Sequence, residues 1–70
     1  MTKQQIDFVD KDDNDKGSIN FILPIFVGET IEIDEYPYTV LEVGIKKFEE
    51  LEEGHFMHCT QKVVVQEVEQ

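Results

Sequence analysis

The chain has little positive charge. Its 70 residues include six lysines and no arginine, against 16 aspartates and glutamates, which gives a formal net charge of −10. Proteins that bind DNA, RNA or anionic membranes need clustered positive charge, so we expect no direct binding to nucleic acid or membrane. The longest apolar run, Phe21 to Val27, is far too short to span a bilayer.

The chain also has few residues of the kind that build catalytic or metal sites. Cys59 is the single cysteine and can make no internal disulfide. Its spacing from His55 and His58 is not a zinc pattern, and on a strand His58 would point away from Cys59 and could not activate it. The 40% of apolar residues suffices for only a small core, and no glycine-rich phosphate loop is present. We therefore expect no enzyme, no cofactor and no metal, and the lack of a signal core predicts a cytoplasmic protein.

A calcium loop is the one metal site that the spacing suggests. Asp12, Asn14 and Gly17 match the start of an EF-hand loop. Lys16 and Leu23, however, stand where the loop needs a ligand and a bidentate glutamate. The polar stretch is better interpreted as a solvated acidic loop.

Composition divides the chain after residue 18. Residues 1–18 form an N-terminal segment in which Asp10–Ser18 is polar throughout and predicts a flexible loop, dispensable for folding. Ile6, Phe8 and Val9 before it are compatible with a short strand. Residues 19–70 then form a single small β domain.

Alternation and β-branched residues predict strands in most of that domain. The segments are Ile19–Val27, Thr30–Asp34, Tyr38–Ile45 and His55–Val68, with turns at 28–29 and 34–37. The fold class is therefore mainly β, as a small antiparallel sheet or an SH3-like barrel of four or five strands. The expected core is Ile31, Ile33, Leu41, Val43, Val63 and Val65.

The stretch 46–53 allows two interpretations. Phe48 and Leu51 have helical spacing, and Gly54 could end a short helix. Four glutamates near the C-terminal end oppose the helix dipole, so a hairpin strand turning at Glu53–Gly54 remains the alternative.

Most of the net charge lies in residues 29–53, which we call the acidic third. It carries nine acids and two lysines, a net −7. A net −10 exceeds the roughly 2–8 units that keep a small domain soluble. A compact chain of this length is about 28 Å across, and duplex DNA carries about 16 charges over that length. The acidic third could therefore occupy the DNA-binding surface of a basic protein. The expected partner-binding residues are Glu29, Glu32, Asp34, Glu35, Glu42, Glu49, Glu50, Glu52, Glu53 and Tyr36, with Tyr38 and Phe48 as further aromatic candidates.

In size, in its acidic charge and in its lysine-only basic residues within an Ile/Val/Glu-rich chain, the sequence resembles small early proteins of phages that infect Gram-positive bacteria. Some of these proteins mimic DNA, and one inhibits the histone-like nucleoid protein HU. The resemblance implies an inhibitor that acts in the host cytoplasm. Its partner would be a basic nucleoid-associated protein such as HU, whose DNA-binding surface it would block.

A binding module of another class is the alternative. The stretch from Val27 to Ile33, followed by Tyr36 to Val40, is typical of strand–turn–strand units in SH3-like barrels. In such a module an edge strand or aromatic groove binds a peptide, and the acidic surface is incidental. Salt separates the two functions, because charge-driven binding weakens steeply with ionic strength.

Overall fold

The protein is a single curled sheet of five strands. The computed structural model describes residues 2–51 and 56–68. Their strands are β1 (Thr2–Val9), β2 (Asp15–Ile19), β3 (Thr30–Ile33), β4 (Tyr36–Leu51) and β5 (Phe56–Glu67). The sheet curls into a half-barrel, so the mainly β fold is confirmed. No helix among the described residues is long and apolar enough to cross a membrane.

The strand order is β2-β1-β5-β4-β3, and the sheet is mixed rather than antiparallel. The β1–β2, β3–β4 and β4–β5 pairs are antiparallel, but β1 pairs in parallel with β5, from Thr2 opposite Met57 to Val9 opposite Val64. The N-terminal segment therefore supplies an interior strand, and the boundary expected after residue 18 falls inside β2.

The core lies on one face of this sheet, which we call the core face. Its buried cluster is Ile6, Phe8, Tyr38, Val40, Val63 and Val65. Val63 and Val65 were expected there, and Ile31 and Ile33 pack against the cluster as partly buried neighbours. Ile6 and Phe8 come from the segment expected to lie outside the domain.

Two bulges in β4 explain why only one of its two expected core residues, Val43, packs against the core. Val40 pairs with Val65 and Val43 with Val63, so three steps along β4 match two along β5 and Leu41 is the extra residue. A bulge of this kind changes which side chains face inward. Val40 is therefore buried, Leu41 is half-buried, and Val43 packs against the core.

The second bulge lies at Gly44–Ile45 and leaves Ile45 77% exposed. Gly44 is required there, because a Cβ on it would lie 2.8 Å from the carbonyl oxygen of Lys62. The side chain of Gln61, itself buried, donates from Nε2 to the carbonyl oxygen of Gly44 at 2.9 Å. The bulge is thus held by a hydrogen bond from the core face.

Residues 20–29 connect β2 to β3 without forming a strand, so the strand expected over Ile19–Val27 is wrong. Pro24 lacks the N–H that a sheet ladder requires, and the segment folds across the core face. Ile22 and Ile25 pack against the core. The N–H of Gly28 then donates to the carbonyl oxygen of Val40, and the N–H of Val40 donates to the carbonyl oxygen of Glu29, both at 2.8 Å.

The acidic loop is shorter than expected, because Asp15–Ser18 belongs to β2. The Asp10 carboxylate orders the remaining residues. Its Oδ1 accepts the N–H groups of Asp12 and Asn14, both at 2.9 Å, and its Oδ2 accepts Asn14 Nδ2 at 3.0 Å. These hydrogen bonds hold the pKa of Asp10 below its usual value, and the one from the backbone N–H of Asn14 has the largest effect.

A two-residue turn joins β3 to β4, since Ile33 pairs with Tyr36. Asp34 and Glu35 have φ of 50° and 72°, as a type I′ turn requires. The expected turn at 34–37 is therefore tighter than predicted, and Tyr36 and Pro37 already belong to β4. Glycine and asparagine favour these angles and glutamate does not, so Glu35 is a strained position.

Beyond the core, the sheet continues as an extension that we call the arm. It comprises 2–5 of β1, 46–51 of β4 and 56–60 of β5, and it contributes to a longest dimension of 49 Å. Residues 46–51 are strand, which rules out the helix considered for that part of 46–53. Glu52, Glu53 and Gly54, with the turn expected there, lie outside the described residues.

Candidate protein-binding surface

The carboxylates of the acidic third lie on the surface. Each of those whose side chains the structure describes is exposed: Glu29, Glu32, Asp34, Glu35, Glu42, Glu49 and Glu50. Glu52 and Glu53 lie outside the described residues. The alternation in β3 confirms the expected orientation, because Ile31 and Ile33 are half-buried while Glu32 is exposed.

The ion pairs found among the described residues leave these carboxylates out. Both pairs use acids of the β1–β2 loop. Lys62 Nζ lies 2.6 Å from Asp13 Oδ1, and Lys16 Nζ lies 3.7 Å from Asp10 Oδ2. Among the described residues, Lys16 and Lys62 therefore pair with the N-terminal loop rather than with the acidic third.

The expected site residues do not form one compact patch. Glu32, Asp34 and Glu35 lie at the β3–β4 turn, and Glu29 lies beside Val40 on the same side of the molecule. Glu49 and Glu50 lie on the arm, roughly 40 Å away at about 3.3 Å per strand residue. Glu42 lies between the two groups, so the charges extend along the molecule.

The three aromatic candidates differ in exposure. Tyr36 is 59% exposed beside the turn, and Phe48 is 63% exposed on the arm. Tyr38 is 9% exposed and belongs to the core, so its side chain packs inside the protein and is not available to a partner.

An apolar cleft that no pattern in the sequence predicted lies beside the carboxylates at the β3–β4 turn. Its volume is about 330 Å³, and its walls come from β2, β3 and the 20–29 segment, including Leu23, Ile25 and Ile31. Glu29, Glu32 and Asp34 also line it, so apolar and acidic groups adjoin. The signal that could have revealed it is Pro24, which prevents a regular strand and leaves the apolar run to pack across an open sheet.

The 20–29 segment also presents apolar side chains to solvent. Phe21 and Leu23 are 50% and 45% exposed, and Phe26 and Val27 are 68% and 66% exposed. Clustered exposure of large apolar groups is typical of contact surfaces.

On the face opposite the core, a groove of about 670 Å³ carries both signs of charge. Asp7, Asp15, Lys47 and Lys62 line it. The Asp7 carboxylate accepts a 2.6 Å hydrogen bond from Gln5 Nε2. The mixed charge gives this groove no preference for an anion or a cation.

Cys59 and His58 do not form a nucleophile–base pair. Cys59 is 4% exposed and faces the core side, opposite Gln4 and Phe48. His58 directly precedes it in β5 and therefore points to the other face. Among the described residues, no three His, Cys, Asp or Glu side chains lie close enough to hold a metal ion.

No known protein family, curated protein or solved structure matches this chain.

Proposed function

We propose that the protein inhibits a basic DNA-binding protein by occupying its DNA-binding surface. The observation that carries this proposal is the acidic third, whose described carboxylates are all exposed and belong to none of the ion pairs found among the described residues. Such charges attract a basic surface and speed encounter with it. The partner is a nucleoid-associated protein of the host cytoplasm, of the kind that HU exemplifies.

The density of charge along the molecule supports mimicry of DNA. The described side chains include 13 carboxylates over a longest dimension of 49 Å, or about one per 4 Å. One strand of DNA carries a phosphate per about 3.4 Å. The molecule is 20–21 Å across, so these carboxylates are carried on a narrow rod.

Inhibition by this route needs no chemical step. A basic surface that holds the acidic rod cannot hold DNA at the same time, and the two compete by charge and by volume. Tyr36, exposed beside the turn, adds short-range contact of the kind enriched in interfaces.

The test compares two variants of equal charge in a gel-shift competition with HU and duplex DNA. The turn variant carries Glu32→Lys, Asp34→Asn and Glu35→Asn. It removes four negative units, and the two asparagines tolerate the positive φ of the turn. Asp12→Lys with Glu67→Lys removes four units elsewhere, at exposed positions. We expect the turn variant to compete at least about tenfold more weakly than the wild type, and the control to lose less than about threefold.

As a control, circular dichroism should show that both variants are folded. Equal losses in the two would show that net charge alone drives binding, and full competition by the turn variant would contradict the proposal. Raising the salt concentration should weaken direct binding of the wild type to HU steeply, mainly by slowing association.

The apolar cleft favours a second candidate function, the binding of an extended apolar peptide. Leu23 lines the cleft and Phe26 lies beside it in the 20–29 segment, and both are exposed. For this function Leu23→Ser with Phe26→Ser should abolish binding, and salt should have little effect. The DNA-mimic function predicts the reverse on both counts.

A further inference from the structure

Among the described residues, one edge of β4 is left without a partner strand along the arm. The other edge of β4 is bonded to β5 as far as Leu51, whereas β3 reaches only from Tyr36 to Thr39. Glu29 adds one further contact, at Val40. From Leu41 onward, no described strand covers this edge, and its free N–H and C=O groups form a template for another strand.

The sequence along this edge is complementary to its own reverse. Lys46 and Lys47 precede Phe48, and Glu49 and Glu50 follow it. Read backwards, every lysine coincides with a glutamate and the phenylalanine coincides with itself. The five residues have no net charge, although the acidic third as a whole carries −7.

We propose that two copies of the chain pair through this edge, as an antiparallel β4–β4 ladder centred on Phe48. In this register Phe48 lies opposite its own copy, Lys47 opposite Glu49, and Lys46 opposite Glu50. A two-fold axis makes each contact occur twice, which gives four pairs of opposite charge, and it closes the assembly at two copies. Residues directly opposite across an antiparallel pair lie on the same face, so each pair is within contact distance.

Exposure and geometry in the structure favour this occupant. Phe48 is 63% exposed, and Ile45, directly before Lys46, is 77% exposed. Pairing therefore removes large apolar groups from water. Both bulges of β4 precede Lys46, and the pairing of 46–51 with β5 is regular. A second copy laid over 45–51 stays clear of β3 and of Glu29, whose contacts end at Val40.

The local neutrality of the edge matters because each copy carries −10. Contact through other parts of the acidic third would bring unneutralised carboxylates together. Contact through 46–50 brings lysines to glutamates, and the rest of the charge stays at the surface of the pair.

The test is sedimentation equilibrium of the full chain over a wide range of concentrations. The wild type should show a reversible monomer–dimer equilibrium. Glu49→Lys with Glu50→Lys turns all four charge pairs into lysine–lysine contacts, and we expect the dissociation constant to rise at least about 30-fold. The same variant lowers the net charge from −10 to −6, so general repulsion alone would strengthen the dimer.

Charge complementation then tests the register itself. Lys46→Glu with Lys47→Glu should be monomeric alone but should form a mixed dimer with the Glu49→Lys, Glu50→Lys variant. The chain carrying all four substitutions keeps its net charge and should dimerise as the wild type does. A monomeric wild type, a dimer that survives either double reversal, or folded partners that fail to complement would each overturn the proposal. None of these measurements involves DNA or HU, so the result is independent of the proposed function.

Discussion

The two ends of the molecule use the same sheet in different ways. At one end, which we call the covered end, the 20–29 segment crosses the core face, and Ile6, Val40, Val63 and Val65 are at most 1% exposed. Along the arm the same strands continue, but Phe48 on the core face is 63% exposed. Large apolar side chains of this face are thus buried where the 20–29 segment covers them, whereas on the arm the small Cys59 of the central strand β5 is buried, at 4% exposed, and the large Phe48 is not. Stability should therefore be concentrated in the covered end, and the arm is left for contacts.

The largest expected effect comes from applying one substitution to both ends. Phe8→Ala opens a cavity in the core, where Phe8 is 4% exposed, and should lower the free energy of unfolding by about 3–5 kcal/mol. Phe48→Ala removes a side chain of the arm that is 63% exposed and should cost less than about 1 kcal/mol. Urea unfolding of dilute samples measures both. Similar losses would mean that the arm carries as much stability as the covered end, which would end the distinction.

The boundary between the ends can be tested at Gly44, where the second bulge lies. Gly44→Ala places a Cβ against the carbonyl oxygen of Lys62 and should cost about 1–3 kcal/mol. Gly28→Ala is the control, because a Cβ there meets no atom within 4 Å although φ is +90°. It should cost about 1 kcal/mol from the backbone alone. If Gly44→Ala proved neutral in thermal unfolding, the close approach to β5 would not be a real constraint.

The smallest expected effect is a gain in stability at the β3–β4 turn. Glu35→Gly relieves the positive φ and should stabilise the protein by about 0.5–1 kcal/mol. Glu32→Gly makes the same change of charge within a strand and should destabilise it by about the same amount. Opposite signs in paired urea titrations would assign the effect to backbone conformation. A gain in both variants would instead point to relief of charge repulsion.

The sequence predicted the strands that alternate and missed those whose pattern is interrupted. Period-two spacing correctly identified β3 and the inward Ile31 and Ile33, and β-branched residues identified β5. In β4 the expectation was correct for Val43 and wrong for Leu41, because extra residues shift the alternation of the strand. Nothing in the run Tyr38–Ile45 marks the first bulge. Only Gly44 signals the second.

Long-range pairing was harder to predict than local structure. Ile6 and Phe8 suggested a strand, but their place between β2 and β5 depends on contacts across more than 50 residues. The predicted length of the acidic loop was too great because Asp15 and Lys16 are polar. They belong to β2, an edge strand, and edge strands tolerate such residues.

Part of the candidate site could be predicted from composition. The exposed carboxylates follow from their number and from alternation, but their division between the turn and the arm follows from the 16-residue length of β4. The apolar cleft and the free edge depend on which strands stop short of their neighbours. That information belongs to the topology, and Pro24 is a local signal for the cleft but not for the free edge.

The parallel pairing of β1 with β5 also determines the order in which the chain can fold during synthesis. Gln4 lies beside Cys59, so β1 leaves the ribosome long before its central partner exists. Contacts between residues this far apart in sequence slow folding, because a long loop must close before they form. The β1–β2, β3–β4 and β4–β5 hairpins are local and can form first. The first hairpin to be made thus waits for β5, and until the two meet the core-facing side chains of Ile6 and Phe8 remain open to water and to other chains.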